Sequence, residues 1–105
     1  MRVPLAKVAF ARSGDKGDRA DIGLFARDAA GYRLLAEQVT AEAVARHFEG
    51  IATGPVARYE LPNLLALKFV IDGALAGGAS RSLRSDNLGK TLGSALLRLE
   101  ITLPD

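Results

Sequence analysis

The final stretch of the chain, "LLRLEITL", alternates without a break: Leu97, Leu99, Ile101 and Leu103 fall on one side, Arg98, Glu100 and Thr102 on the other. Side chains change face at every residue in an extended backbone, so this segment reads as a half-buried antiparallel strand. "PVARYEL" repeats the pattern, with Ala57, Tyr59 and Leu61 set against Val56, Arg58 and Glu60. Two more strands are expected near the start. Val3 to Ala11 is rich in strand formers, and Ala20 to Ala26 carries Ile22, Leu24 and Phe25 around Gly23, where an interior glycine suggests a bulge or a close backbone approach.

Between them the composition favours helix. From Asp28, "DAAGYRLLAEQVTAEAVARHFEG" places Leu35 with Val39 and Val44 with Phe48 at i, i+4 spacing, with Thr40 as an N-cap that divides it in two and Gly50 as a left-handed stop. "NLLALKFVIDGALAGG" is bounded by Asn63 as an N-cap after Pro62 and by Gly77 as a C-terminal stop, and Leu64, Leu67, Ile71, Ala74 and Leu75 fall on one helical stripe. A buried strand is the alternative for this run; the two stops and the length favour helix. "ASRSLRSDNLGK" reads as a short strand followed by a turn. Strand, strand, helix, strand, helix, strand predicts an α+β fold, a ferredoxin-like sandwich in which one antiparallel sheet carries its helices on one face.

The totals bound the function. A chain of 105 residues fits a single domain, 1–105, and a composition 49% apolar and 25% charged is that of a folded globule. Fourteen Lys and Arg against 12 Asp and Glu give a net charge of only +2, which does not call for nucleic acid. Phe10, Phe48 and Phe69 are assigned to the core, leaving few aromatics for base stacking. No cysteine is present, so disulfides, thiolate ligands and thiol nucleophiles are excluded together, and no metal or cofactor is expected. No run reaches the length of a membrane span, and a cytoplasmic location is expected. His47, the one histidine, lies mid-helix with no serine or cysteine neighbour and is assigned a structural role.

The chemistry concentrates in polar blocks. "RSGDKGDR" holds far more charge than a strand connection requires. Gly14 and Gly17 let successive backbone N–H groups point one way as an anion nest, with Lys16 as a point charge; the ordinary reading is a glycine-bearing turn with solvated charges. Asp15 and Asp18 offer a weaker magnesium site. "SRSLRSDNLGK" sets Arg81, Arg84 and Lys90 against Asp86, with Ser80, Ser82 and Ser85 as hydroxyl donors, a set suited to carboxylates and phosphates; a solvated loop with Asp86 capping a helical turn accounts for it equally. Gly89, Lys90 and Thr91 do not make a nucleotide P-loop, because the required first glycine is Arg84. In "RYELPN", an ion pair between Arg58 and Glu60 is the ordinary account.

Taken together, "ARSGDKGDRADIG", "RYELPNLLALKFVIDGALAGG" and "SLRSDNLGK" resemble the small ferredoxin-like domain at the C-terminus of AtuA, the acyclic terpene utilisation protein of bacteria, which also occurs free-standing. The family's blocks lie on Ser13, Gly14, Asp15, Lys16 and Gly17, on Arg58 to Asn63, and on Ser82 to Arg84, Asp86, Gly89 and Lys90. Asp21 stands where the family pattern has asparagine. The resemblance implies a small binding or assembly subunit working with an AtuA-like large protein in breakdown of acyclic terpenoid or related branched acyl-CoA compounds; the edges of an open sheet need cover, which predicts a homo-oligomer. It further implies a polar anion site formed by Ser13, Gly14, Asp15, Lys16, Gly17, Arg58, Asn63, Ser82, Arg84, Asp86, Gly89 and Lys90. The partners expected are that large protein, a second copy and an acyl-CoA or other anionic small molecule, with no nucleic acid and no membrane. The alternative is a stand-alone hydratase or lyase acting on an acyl-CoA, in which Lys16 and Arg84 hold an oxyanion and Asp15 or Asp86 is the acid or base.

Overall fold

The computed structural model describes residues 1–16, 19–49, 54–72 and 88–104. Their elements run β1 (Arg2–Pro4), a 3-10 turn (Leu5–Lys7), β2 (Ala9–Lys16), β3 (Arg19–Ala26), α1 (Ala29–Gln38), α2 (Ala41–His47), β4 (Val56–Leu61), a second 3-10 turn (Pro62–Leu64), β5 (Ala66–Asp72), α3 (Leu88–Leu96) and β6 (Glu100–Thr102). Strands β2, β3, β5 and β4 form, in that order, one antiparallel sheet, and β1 pairs with β6 in a separate two-stranded ribbon.

The alternation of β3 and β5 decides which face is covered. Ala20, Ile22 and Leu24 of β3 and Leu67, Phe69 and Ile71 of β5 are fully buried, and they pack with Leu35 of α1, Val44 of α2 and Leu92 and Leu96 of α3 in one core. The three helices among the described residues therefore cover one face of the sheet, as expected for the α+β sandwich. Asp28 caps α1 by accepting from the Gly31 N–H at 2.7 Å, and Thr40 caps α2 by accepting from the Ala43 N–H at 3.0 Å. The division of the long helical segment at Thr40 is thus as read from the sequence, whereas its Gly50 stop lies outside the described residues.

Four expectations are corrected. The first strand is broken: the 3-10 turn at Leu5–Lys7 buries Leu5 and separates β1 from β2. The polar "RSGDKGDR" block is mostly strand, because β2 continues to Lys16 and β3 resumes at Arg19. The run beginning at Asn63 is no helix. Asn63 lies inside the second 3-10 turn, and Ala66–Asp72 is a central strand whose Phe69, Val70 and Ile71 favour extended backbone. Its proposed stop at Gly77 lies outside the described residues. At the end of the chain, Leu96 closes α3 and the final strand shortens to Glu100–Thr102, with Ile101 buried.

Candidate binding face

Ser13 and Gly14 sit in β2, the edge strand that begins the sheet. Ser13 pairs with Ile22 and so occupies the helix-covered face, where α3 lies over it: a Cβ at Gly93 would stand 2.7 Å from the Ser13 Oγ. Only a glycine in α3 lets the helix approach that closely. Ala11, Ser13, Gly93, Ser94 and Leu97 line a groove of about 430 Å³ along this seam, together with Arg12.

The next residue along the strand faces the opposite side. Pairing across the sheet sets Arg12, Gly23, Lys68 and Tyr59 in one row, and Phe10, Phe25, Ala66 and Leu61 in the row beside it. These rows belong to the face without helices. Phe10 is 49% exposed and Tyr59 52%, so the assignment of Phe10 to the core is corrected, whereas Phe48 and Phe69 are buried as expected. The rings of Phe10 and Phe25 stack at 5.1 Å with 8° between their planes. Gly23 makes room for this arrangement, because a Cβ there would lie 2.9 Å from Phe25 Cε1. Arg12, Ser13, Gly14, Asp21, Gly23, Phe25, Leu61, Ala66 and Lys68 line a groove of about 310 Å³. Among the described residues the ion pairs are Arg2 with Glu100, Arg19 with Asp72 and Arg58 with Glu60, so Arg12 and Lys68 are both unpaired.

The other sequence-predicted site residues are placed as follows. Asp15 stands opposite Ala20 and Lys16 opposite Arg19, at the end of the β2–β3 pair. Arg58 is on β4, the far edge strand, where its Nη2 donates to Glu60 Oε2 at 2.7 Å and its Nη1 to the Val39 carbonyl at 3.4 Å. It fastens the end of α1 to the sheet edge. Asn63 is exposed in the turn that joins β4 to β5, at the end of the sheet away from Lys16. Gly89 and Lys90 fall in the first described turn of α3. Gly17, Ser82, Arg84 and Asp86 lie outside the described residues. The structure therefore brings Ser13 and Gly14 together with Arg12, Asp21, Gly23 and Lys68, and places Arg58 and Asn63 elsewhere.

Arg12, Gly23 and Lys68 are absent from the site expected from the sequence, although Gly23 is marked there for a bulge or close backbone approach and Arg12 opens the polar block; the pairing of β2 with β3 runs through Gly23 without a bulge. Correct extended backbone for Ala66–Asp72 would have supplied Lys68, since it puts that residue opposite the buried Leu67 and Phe69. His47 takes the structural role expected of it: its Nε2 donates to the Ala95 carbonyl at 2.7 Å, joining α2 to α3. No helix among the described residues is long and apolar enough to cross a membrane, and no cluster of three metal-ligating side chains occurs among them.

An antiparallel sheet with helices on one face and cations and aromatics on the other defines an α+β module of ferredoxin-like type. Residues 3–102 match the family model of the AtuA ferredoxin-like domain, and the chain belongs to that family. Comparison with curated proteins and with solved structures gives no match.

Proposed function

We propose that this chain is a small binding and assembly subunit that works with an AtuA-like large protein in the breakdown of acyclic terpenoid or related branched acyl-CoA compounds. The family domain occupies residues 3–102, which supports an association with AtuA-like proteins. The observation that carries the reading is the concentration of Gly14, from the polar block, with the unpaired cations Arg12 and Lys68 around one groove. Arginine and lysine placed on a rigid sheet recognise acidic groups by charge and hydrogen bonding.

In this reading the Ser13–Gly17 block contributes one wall of a polar site. Asn63, exposed in the β4–β5 turn, then belongs to a separate surface available to the large protein, while Arg58 is held by Glu60 and the Val39 carbonyl. The chain acts as a single domain in the cytoplasm, and copies associate through the outer edges of β2 and β4, since an open sheet leaves strand edges that need cover.

Co-expression with an AtuA-like large protein tests the partnership. A stable complex on affinity capture and gel filtration is expected. Separate elution at micromolar concentrations contradicts it, and turnover of an acyl-CoA by the isolated chain would instead favour the stand-alone hydratase or lyase.

A further inference from the structure

We infer that the open face of the sheet binds a small carboxylate carried on an apolar body, with the acid group held between Arg12 and Lys68 beside the Phe25 ring. The inference rests on the proposed reading of this face as a polar site and names the class of its ligand.

The geometry begins with register. Arg12 and Lys68 both stand opposite Gly23, one on each neighbouring strand, so their backbones are two strand spacings apart, roughly 10 Å. Both side chains are exposed and line the same groove, and neither has an ion-pair partner among the described residues. The edge of the Phe25 ring lies over Gly23, its Cε1 2.9 Å from where a Cβ would stand, so the ring forms the floor between the two cations. The adjacent row, Phe10, Phe25, Ala66 and Leu61, is wholly apolar and runs parallel to the cations. A ligand lying across both rows meets charge at one end and hydrocarbon at the other.

Charge and size narrow the class. Asp21 lines the same groove, so two cations and one carboxylate leave a local balance of +1, which suits a monoanion better than a phosphate dianion. The groove, of about 310 Å³, continues from the cations onto the apolar row at Phe25, Ala66 and Leu61, so a short aliphatic body can follow the acid group along it. A second copy of the chain fits less well. Face-to-face pairing about a twofold axis at the groove would set the Arg12 and Lys68 row against its own like charges.

The test is a titration of the full chain with octanoate, followed by amide resonances in two-dimensional NMR. Acetate carries the charge without the body and octan-1-ol the body without the charge. Saturable shifts at Arg12, Gly14, Gly23, Phe25 and Lys68 are expected with octanoate, and at least tenfold weaker binding by either control. In the folded double variant Arg12→Gln/Lys68→Gln, whose changes are both at exposed positions, affinity for octanoate is expected to fall tenfold or more. Absence of shifts with octanoate, equal binding of octan-1-ol, or affinity within twofold in the double variant would overturn the inference. So would sedimentation showing a dimer whose interface contains these amides. Octanoate binding without capture of the large protein retains this inference and removes the partnership; capture without octanoate binding does the reverse.

Discussion

Ser13 and Arg58 are the two ends of one row across the sheet: Ser13 pairs with Ile22, Ile22 with Phe69, and Phe69 with Arg58. Three strand spacings, roughly 14 Å, lie between their backbones, and the two residues in the middle are fully buried. Groups so separated do not share a partner. Ser13→Ala and Arg58→Met are therefore expected to change stability additively, within about 0.5 kcal/mol, in urea unfolding of the single and double variants. A larger coupling would mean that the two blocks are joined by a rearrangement absent from this structure.

The contact between Ser13 and Gly93 makes a sharper expectation. Alanine at position 93 gains about 1 kcal/mol of helix propensity but drives a methyl group into the Ser13 hydroxyl, an overpacking cost of about 1–3 kcal/mol. A net loss of about 1 kcal/mol is expected for Gly93→Ala. In a Ser13→Ala background the hydroxyl is gone, and the same change should be neutral or stabilising. Equal penalties in the two backgrounds, measured by denaturant unfolding, would contradict the packing described for α3.

Gln38 completes a strand with a side chain. Its Nε2 donates to the Thr102 carbonyl and its Oε1 accepts from the Thr102 N–H, each at 2.7 Å, so the amide group takes the place of a neighbouring backbone for β6. Gln38→Ala should cost about 1–2 kcal/mol and speed hydrogen exchange at Thr102. Gln38→Glu retains the acceptor but sets a carboxylate oxygen against the Thr102 carbonyl, and is expected to restore little of that loss.

Arg58 acts as much through its stem as through its charge. Its side chain is only 16% exposed, whereas that of its partner Glu60 is 61% exposed, so the ion pair itself is screened and contributes little. Arg58→Ala is expected to destabilise by about 1 kcal/mol or more, and Arg58→Met to recover most of it. Thermal unfolding of Glu60→Gln should stay close to that of the parent chain.

How much of this was legible in the sequence follows from which signals were local. Asp28 and Thr40 satisfy the first N–H groups of α1 and α2 with their own side chains, and the division at Thr40 is readable as a cap. Alternation in "PVARYEL" gave β4 with its faces correct. The β4–β5 connection was unreadable for a physical reason: the residue that turns the chain in the left-handed region is Leu65, at φ 53°, where glycine or asparagine would have signalled it. With that turn hidden, Leu64, Leu67 and Ile71 fell on a helical stripe, and β5 was lost along with the placement of Lys68. The candidate face was half legible. Ser13 and Gly14 lie in a conspicuous polar block, but Gly23 and Lys68 reach them only through pairing between strands distant in the chain, which no local spacing encodes.

The groove beside Phe25 takes an acid group between Arg12 and Lys68, and a crystal structure of the chain grown with octanoate tests this most directly. The carboxylate is expected within hydrogen-bonding distance of both cations, with the hydrocarbon tail along Phe25 and Leu61. A carboxylate seated instead at Arg58 or Asn63, with the groove beside Phe25 empty, would contradict it.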